Sequence, residues 1–209
     1  MVNQYDTPQE RHEHILKLLG ITNDVFKKDV NDQVKNIIEL SKSYQKNGAV
    51  LGVPFFKKMF EINDEIEREN LMRLSEKKPF KIQCTNCTSA YCCHDWIGCS
   101  AEEVSIIKTY VIFKNIKLDI FRIAQLGKIS KDDFYKLSFE DQKCPLLVNK
   151  KCSVYPVRPM ICRNFYVGEG SNCKGNELKY FIPNVLGHAF NCAFYTLFPL
   201  TSLFKKLAE

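Results

Sequence analysis

The sequence predicts a compact, mainly α-helical fold with irregular cysteine-rich loops and one small β-hairpin, and three observations carry that expectation. Apolar residues recur at helical spacing through much of the first eighty positions. Two helix-start signatures follow, at Ser100 and Ser130. The ten cysteines, none of them before Cys84, fall mostly in short polar stretches with Asn, Ser and Gly. A chain of 209 residues, 45% of them hydrophobic, can build a good core without a crosslink. Its 15 Phe and 9 Tyr exclude wholesale disorder.

Taken in order, Pro8-Gln9-Glu10 can open a first helix carrying Ile15, Leu18 and Leu19 and ended by Gly20. A second helix starts after Thr22 or Asn23, with Val30, Val34, Ile37, Ile38 and Leu40 as its apolar stripe. Gly48 and Gly52-Val53-Pro54 punctuate the chain, and Phe55, Phe56, Met59 and Phe60 then lead into Ile62, Ile66, Leu71 and Leu74. Ser100 with Glu103 has capping-box spacing and opens a helix through Val104, Ile107, Tyr110 and Val111. Ser130 with Asp133 repeats the pattern for a short helix through Phe134 and Leu137. Residues 145–148 and 152–155 flank Asn149-Lys150-Lys151 as a hairpin. The organisation is therefore an N-terminal helical layer (1–79), a cysteine-rich segment (80–180) and an apolar C-terminal segment (181–209) packed on the same core.

That last segment holds 25 residues without a full charge between Lys179 and Lys205. Pro183, Asn184, His188, Asn191, Thr196, Pro199, Thr201 and Ser202 interrupt it, so the expectation is a helix buried in the fold and broken at Pro199, not a membrane span. An exposed docking surface for a protein partner is the other use of so apolar a stretch.

Net charge is +6, of which +5 falls in residues 84–209. No Lys/Arg run marks a nucleic-acid tail, and no nucleic-acid partner is expected. Met1 is followed by no basic stretch leading into an apolar run, which gives a cytoplasmic expectation. In that reducing compartment, clustered cysteines bind metal more readily than they crosslink.

The cysteines form two groups. The first is Cys84-x2-Cys87-x4-Cys92-Cys93, with Cys99 six residues on; the second is Cys144-x7-Cys152-x9-Cys162-x10-Cys173. A Cys-x2-Cys pair can aim both sulfurs at one site while the backbone wraps it. Adjacent Cys92 and Cys93 diverge in extended chain, so spacing leaves open which of the two ligates. It also leaves open two zinc ions, one cubane cluster with spare thiols, or a shared multinuclear site. Thiol-only ligation suits zinc or iron–sulfur and not magnesium or calcium.

Arg158 and Arg163 bracket Cys162 at −4 and +1. They either compensate an anionic thiolate centre or bind an acidic ligand beside it, or else pair with a nearby carboxylate. Tyr155 either donates its hydroxyl to a sulfur or backbone group or packs. His94 is a spare ligand beside Cys93, and Asp95, Glu102 and Glu103 are oxygen alternatives, although capping already accounts for the two glutamates. No Ser/His/Asp set and no nucleotide-binding loop is present in the pattern, so any catalysis would rest on the metal.

The stretch Cys144-Pro145-Leu146-Leu147 and Cys152-Ser153-Val154-Tyr155-Pro156-Val157-Arg158-Pro159-Met160-Ile161-Cys162-Arg163-Asn164-Phe165 resembles the signature of the YkgJ-type cysteine-cluster family, described as chelating zinc or iron. The resemblance extends to Cys84, Cys87, Cys92 and Cys93, then Glu102-Glu103, and ends at Cys173-Lys174-Gly175, covering about residues 80–180. It implies eight metal-ligating cysteines, 84, 87, 92, 93, 144, 152, 162 and 173, and leaves Cys99 and Cys192 outside. Four residues separate Cys87 from Cys92 where family members often have two. A related branch, the flagellin lysine methylases, is similar in its cysteine domain and is thought to carry an iron–sulfur centre. The resemblance therefore implies an iron–sulfur cluster of 4Fe-4S type, with zinc as the alternative. For the role it leaves three readings: a redox or metal-dependent protein, a zinc-bearing structural or protein-interaction module, or a protein-modifying enzyme.

Overall fold

A computed structural model of the chain describes residues 22–46, 52–77, 91–163 and 185–209. The helix expected over residues 8–19 lies outside them. Helix α1 (Asn23–Lys46) starts where Thr22 accepts the Val25 amide on its hydroxyl at 3.3 Å, and α2 (Val53–Lys77) carries Pro54 in its first turn, where no intrahelical N–H is needed. A 3-10 turn (Tyr91–His94) and strand β1 (Gly98–Cys99) precede α3 (Ala101–Phe113). Helix α4 (Ile120–Lys128) and the one-turn α5 (Lys131–Phe134) follow. A hairpin of β2 (Leu147–Val148) and β3 (Lys151–Cys152) leads to a 3-10 turn (Tyr155–Val157) and to α6 (Met160–Arg163). The described chain closes with α7 (Val185–Leu197), β4 (Thr201–Ser202) and α8 (Leu203–Ala208).

The fold is mainly helical and compact, with two small antiparallel strand pairs, β1–β4 and β2–β3. The hairpin turn is tighter than the sequence indicated. Lys151 belongs to the strand, and Asn149 and Lys150 alone make the turn with φ of 50° and 60°, the left-handed pair that suits the twist of the flanking strands. Ser100 makes the full reciprocal capping box with Glu103. Ser130 makes half of one: its hydroxyl accepts the Asp133 amide at 3.1 Å and donates to the Asp133 carboxylate at 2.7 Å. Aspartate is one methylene shorter than glutamate, and its carboxylate meets the hydroxyl instead of the backbone N–H behind it. Helix α4 escaped the sequence reading, although Asp119 caps it by accepting the Arg122 amide at 2.9 Å and Ile123 and Leu126 are its buried residues.

Two apolar clusters share α3 as their partition. Val104, Ile107 and Val111 face one, together with Ile97, Leu126, Phe134, Cys144, Leu146, Leu147, Val154, Leu203 and Phe204. Ile106 joins the other, with Ile37, Phe55, Phe56, Met59, Phe60, Met160, Phe190, Phe194 and Phe198. Helix α7 lies against α1 and α2, with Phe56 and Phe194 edge to face at 6.1 Å between centroids. The apolar C-terminal segment thus contributes to both clusters. Its helix ends before Pro199, and the chain then pairs Gly98 with Ser202 and Cys99 with Thr201 in the β1–β4 ladder. That pairing sets α8 against α4, where a Cβ on Gly127 would lie 3.0 Å from the Phe204 carbonyl and 3.1 Å from Ala208 Cβ. No helix of the described residues is long and apolar enough to cross a membrane.

Candidate metal centre

Cys93 of the first cysteine group and Cys144 of the second meet through the backbone. The Cys144 amide donates to the Cys93 carbonyl at 2.6 Å, tying the 3-10 turn of the first group to the start of the second. The Cys144 carbonyl in turn accepts the Leu147 amide at 3.0 Å, which folds the chain into the hairpin. Leu147 is the register partner of Cys152. Cys144 is buried, and Cys93, Cys152 and Cys162 are half-buried against the same apolar cluster.

Cys162 is positioned by a polar clamp that spacing alone did not indicate. Glu103, fully buried, accepts the Ser100 amide on one carboxylate oxygen at 2.7 Å and the Met160 amide on the other at 2.6 Å. The Tyr195 hydroxyl accepts the Ile161 amide at 3.2 Å and also bonds to the Glu103 carboxylate. The exposed N–H groups at the start of α6 are thereby satisfied from α3 and α7, two residues before Cys162. Burial holds the Glu103 carboxyl above its ordinary pKa, opposed by those hydrogen bonds. A Ser-x2-Glu pair on its own announces a helix start; the second oxygen's partner, 57 residues away, has no local signal.

Arg163 is buried, and its guanidinium donates to Asp64 at 2.8 Å, to the Pro156 carbonyl at 2.6 Å and to the Arg158 carbonyl at 3.1 Å, over the face of Phe60 at 4.2 Å. Burial lowers its pKa, with Asp64 opposing. Arg158 donates to the Tyr155 carbonyl at 3.0 Å and lies over the exposed Tyr155 ring at 3.7 Å. His94 is stacked on Phe139 at 4.0 Å, and Asp95 accepts the Tyr135 hydroxyl at 2.6 Å and the Trp96 amide at 2.7 Å. Glu102 is half-buried in the first turn of α3. Cys99 is buried in β1, where burial and then Glu103 push its thiol up, and Cys192 on α7 is pushed up by burial.

Cys84, Cys87 and Cys173 lie outside the described residues, as does the side chain of Cys92. Among the described residues no three His, Cys, Asp or Glu side chains gather closely enough to hold an ion. The donors that are described fit a thiophilic metal in kind: soft sulfurs, one buried and three half-buried, packed on one apolar cluster.

Residues 83–179, just under half of the chain, match the model of the CxxCxxCC family, whose printed description is "Putative zinc- or iron-chelating domain". The matched segment is similar to that family's cysteine-cluster domain, and the match supports metal binding as its role. No curated protein and no solved structure matches the chain.

Proposed function

We propose that the protein holds an iron–sulfur cluster through thiolates drawn from Cys84, Cys87, Cys92, Cys93, Cys144, Cys152, Cys162 and Cys173, four to a cluster with the others as spare thiols. The observation supporting this reading is the Cys93–Cys144 backbone contact at 2.6 Å, which joins one member of each group although 51 positions separate them. Cys152 and Cys162 pack on the same cluster, supporting one shared centre over two separate ones. Such a cluster supplies one-electron redox chemistry when bound. The chain's own residues back the sulfurs with the apolar cluster of Leu146, Leu147 and Val154 and hold the Cys162 turn through Glu103 and Tyr195. Its place is the reducing cytoplasm, where ten cysteines remain available as thiols.

Anaerobic purification followed by elemental analysis tests the reading. Stoichiometric iron with acid-labile sulfide and a brown colour is the expected result. A colourless protein with stoichiometric zinc would replace the cluster with a structural zinc centre on the same ligands. Less than one metal atom per chain, with a thiol titre near ten, would overturn metal binding altogether.

A further inference from the structure

The corner between α3 and α4 carries a feature the metal centre does not use. Ile112 and Phe113, in the last turn of α3, are 79% and 77% exposed. Ile120 and Phe121, in the first turn of α4, are 66% and 80% exposed. The core side of the same helices is filled by Val111, Ile123 and Leu126, so these two Ile-Phe pairs lie off the buried stripe. The connection between them is pinned from inside: Ile116 and Leu118 pack against the core, the Ile116 amide donates to the Val111 carbonyl at 2.9 Å, and Asn115 turns the chain with φ of 50°. Four large apolar side chains therefore project from one anchored corner, in excess of what a scattered exposed residue would represent.

Charge indicates what would cover them. Lys114 and Lys117 are exposed on the connection, with the Lys114 ammonium 5.0 Å from the centroid of the Phe113 ring. The corner's one acid, Asp119, is engaged in capping the Arg122 amide. Arg122 itself leans toward Asp141 at 4.0 Å. The chain as a whole carries +6. Aromatic and aliphatic side chains flanked by lysines match the boundary between lipid headgroups and acyl chains, where the rings bury and the ammonium groups meet phosphate.

We propose that the α3–α4 corner docks the protein on anionic membrane surfaces, with Ile112, Phe113, Ile120 and Phe121 inserting at the headgroup boundary and Lys114 and Lys117 pairing with acidic lipids. The test is flotation of the full-length, metal-loaded protein with phosphatidylcholine vesicles made with and without phosphatidylserine. Binding to the phosphatidylserine vesicles, weakened by added salt, is expected. F113S/F121S should lower that partition by about tenfold or more, and K114E/K117E should abolish the preference for the acidic lipid. All four side chains are exposed, so circular dichroism and metal content should be unchanged, which separates this result from a failure of the metal centre. Absence of wild-type flotation, or equal flotation of wild type and F113S/F121S, would overturn the proposal. A wild type that is dimeric by sedimentation velocity while F113S/F121S is monomeric would assign the corner to a second copy of the chain and overturn it equally.

Discussion

The Cys144 amide and the Cys93 carbonyl lie 2.6 Å apart, and this contact sets the 3-10 turn that carries Cys93 beside the start of the second cysteine group. Because it is a backbone bond, replacing either side chain by serine leaves it intact. C93S and C144S should each lower metal affinity by about tenfold or more, read by elemental analysis and by competition with a chelator. C192S and C99A should keep full metal content, since neither belongs to the eight proposed ligands. Equal metal in C144S and wild type would remove the second group from the site.

The Glu103 clamp gives a second prediction. In E103Q an amide N–H2 replaces one carboxylate oxygen opposite the Met160 or Ser100 amide, so two donors face each other. The cost should be about 1–3 kcal/mol, or roughly 2–4 °C in melting temperature for each kcal/mol in a chain of this size. Differential scanning fluorimetry would read it, and thiol labelling should show Cys162 reacting faster. An unchanged melting temperature would mean that the clamp does not hold α6.

Glu67 carries a pH dependence whose sign is fixed. It is 1% exposed on α2, with no hydrogen-bond donor to either oxygen among the described residues, and burial, then Asp64, raise its pKa from 4.5 to about 8. Below 4.5 the group is protonated folded or unfolded, so it adds no pH dependence there. Between 4.5 and about 8 the folded state keeps a proton that the unfolded state releases, so stability falls as pH rises. E67Q should therefore match wild type near the acid end of that window. Above about pH 8 it should be more stable, by on the order of a few kcal/mol. Parallel urea midpoints at both ends would check it; identical pH slopes for E67Q and wild type would refute it.

Arg163 should be intolerant of losing its carboxylate. D64A leaves a buried guanidinium with only carbonyls and the Phe60 ring around it, and Asp64 is itself 43% exposed, so water can partly replace it. A loss of about 1–3 kcal/mol is expected, below the value for a fully buried pair. R163K should do no better, because one ammonium cannot serve Asp64, Pro156 and Arg158 in the planar geometry that the guanidinium provides. Urea denaturation of the two variants measures both.

Ending the chain after Tyr180 would remove Phe190, Phe194 and Phe198 from one cluster and Leu203 and Phe204 from the other. At roughly 1.5–3 kcal/mol for each large side chain, that is comparable to the whole net stability of an ordinary domain. The truncated chain should be insoluble or metal-free, by centrifugation and elemental analysis. A soluble monomer with full metal would show that the segment is dispensable.

The sequence disclosed those features whose cause is local. Periodicity placed α1 and α2, Ser100-x2-Glu103 placed the start of α3, and Asn149-Lys150-Lys151 placed the hairpin with a turn one residue too long. Helix α4 was readable from Asp119, Ile123 and Leu126 but is short, and its Ile-Phe start points away from the core and blurs the period. The remaining relationships join distant positions: Glu103 to Met160, Arg163 to Asp64, Cys99 to Thr201. Residue type announced each of those side chains as notable, and only the fold supplies the partner. Cysteine spacing delimited the domain without ordering its sulfurs, because Cys144, Cys152 and Cys162 arrive from a turn, a strand and a helix that follow no common repeat.

The β1–β4 ladder, short as it is, has a consequence for the order in which the protein is made. Cys99 pairs with Thr201 and the Leu203 amide reaches the Ile97 carbonyl at 3.0 Å, so the wall behind the first cysteine group is laid by residues translated a hundred positions later. Synthesis runs from the N-terminus at a finite pace, so β1 cannot pair until β4 has been made. Until residue 204 has left the ribosome, Ile97, Leu126 and Phe134 have no Phe204 against which to close, and the neighbouring thiols stand open to solvent. On the proposed reading, metal that met the nascent chain before the tail docked would find these thiols uncovered, and a pause in translation just before position 200 would lengthen that interval.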